Sequence, residues 1–170
     1  MKPSWWNKSR SYLIKKDKVI SRLIRSYKGY LTTRNNFFYS LTRSIISQQI
    51  SVAAADSVFS KFEKKCKNKI NPKTVQKLSI QDLKKCGLSK MKAIGIKSLA
   101  QKILDKSFNP KLINKMTDEE AINYLSSLRQ IGRWSAEMVL IFFYNRPNIW
   151  PLQDIGLLRA ISNNYKKKYL

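Results

Sequence analysis

Apolar positions recur every three or four residues along nearly the whole chain, the spacing of helices that each bury one face. Phe37, Phe38, Leu41, Ile45 and Ile46 share one face, and after a polar break at Gln49–Ser51 the residues Val52, Ala55, Phe59 and Phe62 share another. Ser51 stands where an N-cap is wanted. Asn71-Pro72 opens a short helix, Gly87 ends another, and Ser89 is placed to cap a helix running through Leu104. Thr117-Asp118-Glu119-Glu120 is a capping box, after which Ile122, Leu125 and Leu128 face a core. From Trp134 or Ser135 to Phe143 the residues are apolar on almost every side, which predicts a central, buried helix. The segment up to about Gly29 is basic and amphipathic, with Leu13, Val19, Ile20, Leu23 and Ile24 as contacts onto the body. No alternating stretch longer than four residues reads better as a strand. The pattern predicts an all-α fold of many short helices, and the length a single domain over 1–170, either undivided or folded as two lobes.

The 128–159 stretch carries the chemistry. A helix ending near Leu128 is followed by a turn at Gly132 and the apolar helix, so the unpaired N–H groups and positive dipole end of that helix face whatever sits at the turn. Arg129 and Arg133 flank the glycine, which suits one phosphate of a nucleic-acid strand. An ordinary αα-hairpin with a glycine turn fits the same residues. After a Pro-bounded loop, Asp154 stands alone at the mouth of a helix over 155–165, as an N-cap, as a carboxylate beside a developing positive charge, or as both.

Composition narrows the partner. The 170-residue chain has 34 basic and 10 acidic residues, a net charge of +24, and with 43% hydrophobic and 11% aromatic residues it can still form a core. A field of that sign favours polyanions; genome-driven enrichment in Lys, Asn and Ile explains part of it. Histidine is absent and the two cysteines, Cys66 and Cys86, are far apart, so no side-chain metal centre is expected and the thiols read as reduced and part-buried. No run approaches the roughly 20 apolar residues of a membrane span, and the N-terminus lacks a signal peptide's apolar core, so a cytoplasmic location is expected.

Three stretches, LTRSIISQQISVAAADSVFSKF (41–62), GLSKMKAIGIKSLAQKI (87–103) and IGRWSAEMVL with WPLQDIGLLRAI (131–140 and 150–161), resemble in order the helix-hairpin-helix DNA glycosylase superfamily, and within it the 3-methyladenine DNA glycosylase II group. The resemblance implies a two-lobed helical domain with a lesion cleft between the lobes and the hairpin motif at about 118–145. It implies a monofunctional glycosylase that removes alkylated purines from damaged double-stranded DNA in base-excision repair, as a nucleoid-associated bacterial monomer. Asp154, in the setting Asp154-Ile155-Gly156-Leu157-Leu158-Arg159, is then catalytic: its carboxylate stabilises the oxocarbenium charge on the sugar and orients water. Members that also cut the backbone carry a Lys where this chain has Trp134, so no Schiff base forms there. Trp134 and Met138 line the base pocket, with the indole offering a cation–π contact to a cationic purine. Gln49, with Gln48 as the second choice, is the wedge that fills the hole left by an extruded base. Arg129, Gln130, Ile131, Gly132 and Arg133 bind the DNA backbone, with room for a monovalent cation on hairpin carbonyls and no other cofactor.

The chain departs from this pattern in four places. Gln130 stands where the first hairpin glycine belongs and Gln153 where an acidic residue is common. The sequence stops at Leu170, without the further helix whose Trp closes the pocket, so the expected form is short, with a truncated C-terminus and no N-terminal β lobe. Trp150, Trp5 or Trp6 is then the candidate to close the pocket, unless it stays open. A non-catalytic lesion-binding module, a glycosylase for another damaged base and a basic RNA-binding protein are the alternatives.

Overall fold

The computed structural model describes residues 2–32 and 34–166, and among these every regular element is helical. In chain order they are α1 (Trp6–Lys16), α2 (Lys18–Ser26), α3 (Phe37–Ser47), α4 (Val52–Lys65), α5 (Pro72–Gln76), α6 (Ile80–Lys85), α7 (Lys90–Leu104), α8 (Asp118–Ser126), α9 (Arg133–Phe142) and α10 (Ile155–Tyr165), with a 3-10 turn over Pro110–Lys115 before α8. Leu170, where the sequence stops, lies outside the described residues.

Caps fix most of the boundaries. The side chains of Asn36, Ser51, Asn71 and Ser89 accept from the backbone amides of Tyr39, Ala54, Thr74 and Lys92 at the starts of α3, α4, α5 and α7. Thr117 and Glu120 form the expected capping box on α8, and a second box, Ser79 with Asp82, starts α6. Asp17 splits the N-terminal segment in two by capping α2 through Ile20 N at 2.8 Å.

The core lies within α3–α9, where Leu41, Ile45, Phe62, Ile96, Leu125 and Leu140 are fully buried in one apolar cluster. Burying such side chains contributes about 1.5–3 kcal/mol each. Two lysines of α7 close the carbonyl ends of neighbouring helices: Lys92 Nζ donates to Ile46 O and Gln48 O, and Lys97 Nζ to Gln76 O and Leu78 O. Cys66 and Cys86 are free and buried; burial, aided by Cys86 and Glu63, pushes the Cys66 thiol up to about 11.

Helices α1, α2 and α10 contain no fully buried residue. They are joined by the Tyr165 hydroxyl donating to Asp17 Oδ2 at 2.7 Å and by Arg22 Nη2 donating to Asn164 Oδ1 at 3.3 Å. Trp5 Nε1 donates to Asn145 O at 2.9 Å, which pins the N-terminus to the loop after α9. Arg146 anchors that loop from the other side through Asp118 Oδ1, Ile113 O and Met116 O.

One expectation changes. Helix α9 is not buried all round: Ser135, Ala136, Glu137, Val139 and Leu140 face the core, but Trp134 and Phe142 are 38% and 42% exposed and Met138 is half-buried. Its apolar outer side is the wall of a cleft, a surface that periodicity does not distinguish from core.

Candidate active site

Asp154 caps α10: Oδ1 accepts from Leu157 N at 2.8 Å. The other oxygen, Oδ2, accepts from the indole Nε1 of Trp134 at 3.0 Å, twenty residues away on α9. Each carboxylate oxygen thus serves one helix, Oδ1 capping α10 and Oδ2 accepting from α9. Leu157's amide first, then the indole, hold the Asp154 carboxyl below the ordinary carboxylate range; burial opposes them weakly and Gly156's amide adds a little. The group is a fixed negative charge at neutral pH, partly open to solvent.

Trp134 separates two clefts. One, of about 260 Å³, runs between α3 and α9 and is lined by Met138, Val139, Phe142, Phe143, Ser40, Ser44 and Ser47, with Arg34 and Arg43 at its polar side. Ser40, Ser44 and Ser47 lie on one face of α3 at helical spacing. That polar stripe inside an apolar helix is a signal present in the sequence, whereas nothing local to Arg34 and Arg43 marks them as cleft residues. Arg43 is held by Asp56 Oδ1 at 2.6 Å and lies over the Phe59 ring, 4.8 Å from its centroid. The second cleft, of about 500 Å³, is lined by Gln48, Gln49, Ser89, Met91, Lys92, Gln130 and Ser135. Trp5 and Trp6 line a separate pocket against α1 and α2, and Trp150 is 61% exposed and lines neither cleft. Alongside Trp134, the aromatic residues of the first cleft are Phe142 and Phe143.

The hairpin between α8 and α9 differs in detail from expectation. The turn is made by Gln130, at φ 68°, and not by Gly132, whose φ of −87° suits any residue. A Cβ on Gly132 would meet nothing within 4 Å, so this glycine leaves open space in front of the α9 N-terminus. No side chain caps that terminus, which leaves its first amides facing outward. Gln130 is accommodated by a second glycine: its Cγ lies 2.7 Å from where a Cβ on Gly95 of α7 would be.

Arg129 is exposed and free of any ion pair found among the described residues. The guanidinium of Arg133 is instead spent within the fold, donating to Glu119 at 2.6 and 2.9 Å and to Glu137 at 3.1 Å. Glu137 is 4% exposed, so its charge needs a partner close by, and Arg133 is one turn away on the same helix. Ile131 is buried in the core and presents only its backbone to the turn. The carbonyls of Leu128 and Gln130 accept from Ile131 N and Gln48 Nε2. No group of three or more metal-ligating side chains occurs among the described residues.

The two wedge candidates separate. Gln49 is exposed at the tip of the α3–α4 loop, in the left-handed region at φ 57°. Gln48 turns inward, and its Nε2 donates to Gln130 O at 2.8 Å and Ser135 Oγ at 3.1 Å. Ile50 is exposed beside Gln49.

Residues 42–168 match the HhH-GPD superfamily of base excision DNA repair proteins. The chain is 34% identical over 124 residues to the alkylbase DNA glycosidase-like protein mag2 of Schizosaccharomyces pombe, covering 71% of this chain and 58% of that protein. It is 28% identical over 166 residues to DNA-3-methyladenine glycosylase 1 of the same organism, covering 94% and 71%. Among solved structures, the Schizosaccharomyces pombe 3-methyladenine DNA glycosylase in complex with abasic DNA superposes with a TM-score of 0.79 at 26% identity, over 95% of this chain and 82% of that one. The sequence thus spans little more than half of the first of these relatives.

Proposed function

Since this chain belongs to the HhH-GPD superfamily of base excision DNA repair proteins, we propose that it is a DNA glycosylase that hydrolyses the N-glycosidic bond of alkylated purines in damaged duplex DNA. The observation that carries this reading is the Asp154 carboxylate, which caps α10 through Leu157 N and accepts from the indole of Trp134, the residue that lines both clefts and stands in the first turn of α9, whose N-terminus has no side-chain cap. The relatives named for alkylbase and 3-methyladenine activity support the substrate class.

In the reaction the bond between C1′ of the deoxyribose and the base nitrogen breaks, and its electron pair leaves with the base. For an alkylated purine that pair neutralises the positive ring, so no general acid is required. The sugar is left with oxocarbenium character, which the ionised Asp154 stabilises. Water adds at C1′ and gives its proton to the carboxylate or to solvent, yielding an abasic site and the free base. The exposed amides of the α9 N-terminus bind one backbone phosphate and Arg129 a neighbouring one. With Trp134 in place of an amine, the activity stops at the abasic site without strand cleavage.

The test is release of 3-methyladenine or 7-methylguanine from methylated duplex DNA, read as free base and as alkali-labile sites. Asp154→Asn keeps the α10 cap, since Asn caps as well as Asp, and is expected to lower release by at least about 10²-fold with duplex binding retained. Full turnover by that variant would overturn the mechanism. The lining of the α3–α9 cleft favours a second reading. Arg34 beside Ser40, Ser44 and Ser47 opposes a cationic base and suits a neutral one with carbonyl acceptors, while the charge of Arg43 is paired with Asp56. Faster release of a neutral oxopurine than of 7-methylguanine, in a panel of single-lesion duplexes, selects it.

A further inference from the structure

The loop of residues 47–51 has little backbone structure of its own to resist force. Gln48 N donates to Ile45 O at a long 3.4 Å, and Gln49 sits in the left-handed region that side chains other than glycine avoid. Two side chains from outside the exposed tip hold it. Lys92 of α7 donates to Ile46 O at 2.8 Å and to Gln48 O at 2.7 Å, which closes the carbonyl end of α3. Gln48 in turn donates to Gln130 O at 2.8 Å and Ser135 Oγ at 3.1 Å, on the turn and the first helical turn of the hairpin. Gln130 is itself keyed against α7 at Gly95. A closed circuit therefore runs from α7 through Lys92 to the loop, through Gln48 to the hairpin, and through Gln130 back to α7.

Taking residues 47–51 as the loop that enters the duplex, an expectation carried by the family resemblance and resting on the glycosylase reading, we propose that Gln48 and Lys92 are positioning residues that lock this loop to the phosphate-binding hairpin. A wedge displaces a stacked base only if its own support does not retreat. The hairpin is gripped by the strand, so tying the loop to the hairpin makes the DNA backbone the anvil against which Gln49 and Ile50 push. Gln48, beside the tip in sequence, serves it from behind. The choice of Gln130 at the turn belongs to the same device, because its carbonyl receives the Gln48 amide and its side chain keys the turn onto α7.

The experiment separates extrusion from base release. A duplex carrying 2-aminopurine opposite a tetrahydrofuran abasic analogue reports wedge entry as a fluorescence rise, measured at protein concentrations that saturate each variant. Gln48→Leu is expected to lower the ratio of inserted to withdrawn loop by about thirtyfold, the worth of two ordinary hydrogen bonds, and Lys92→Met by at least as much because its bonds are charge-assisted, while Lys92→Arg keeps most of the signal. Thermal unfolding checks that each variant is folded, and if Lys92→Met is not, Gln48→Leu decides alone. A wild-type fluorescence rise in folded Gln48→Leu overturns the proposal. If the native chain raises the fluorescence but releases no base from methylated DNA, the glycosylase reading falls and the coupling stands. If the native chain gives no rise, the coupling falls whatever the chemistry.

Discussion

At the scale of single residues, the Asp154–Trp134 hydrogen bond makes the pH behaviour specific. The folded-state pKa of Asp154 is depressed. Its contribution to stability is therefore present above the ordinary carboxylate range and is lost as pH falls through the lowered value. Base release should follow the same ionisation and persist below the pH at which a free aspartate protonates. Trp134→Phe keeps an aromatic wall but removes the donor to Oδ2, so its acid limb is expected to move up toward the ordinary range. Single-turnover rates against pH for the two proteins check this, and coincident acid limbs would show that the indole does not tune the carboxylate. The two glycines near the turn make an independent pair. Gly132→Ala places its Cβ in open space at an ordinary φ, so stability should hold within about 0.5 kcal/mol while DNA affinity drops. Gly95→Ala drives a Cβ into Gln130 Cγ and to 3.3 Å from Arg129 O, so it should cost about 1–3 kcal/mol. Denaturant titrations beside binding isotherms separate the two effects.

At the scale of elements, the hairpin assigns opposite tasks to two arginines that look alike in the sequence. Arg129→Ala should leave stability unchanged and reduce the log–log salt slope of DNA binding by about 0.9, the loss of one phosphate contact. Arg133→Ala strands the buried Glu137, whose Oε2 already has no partner among the described residues, so it should destabilise by about 1–3 kcal/mol with little change in that slope. Reversed outcomes would put Arg133 on the DNA. This pair shows where sequence reasoning runs out. Helix starts were legible because Ser51, Asn71, Ser89 and Thr117 act locally on amides two or three residues ahead. The relation of Trp134 to Asp154 was legible only as two residues of one motif, since their hydrogen bond depends on how the loop through Arg146 and Pro151 returns α10 to α9. What Arg133 and Gln48 bond to was not legible, because Glu119, Gln130 and Ser135 reach them through tertiary packing. The cleft side of α9 read as core for the same reason.

At the scale of the whole molecule, the charge is almost entirely free to act outward. Of ten acidic residues, Asp56, Asp82, Asp118, Glu119 and Glu137 are taken by ion pairs within the fold. Asp17, Asp105, Glu120 and Asp154 are occupied as helix caps or turn acceptors. Ten carboxylates against 34 basic side chains leave a net charge of +24, so the potential should gather any duplex, damaged or intact, before the cleft discriminates. Binding and chemistry then separate under salt. Raising salt from about 50 to 200 mM should weaken duplex affinity by roughly 10³-fold if six or more phosphates are contacted. The single-turnover rate at saturating protein should hardly change, because Asp154 is oriented by two hydrogen bonds only 2.8 and 3.0 Å long that lie within the salt-screening distance. Anisotropy titrations and saturating single-turnover assays at matched salt measure the two terms. If the saturated rate falls in step with affinity, the long-range field enters the transition state and Asp154 is not the sole source of electrostatic stabilisation there.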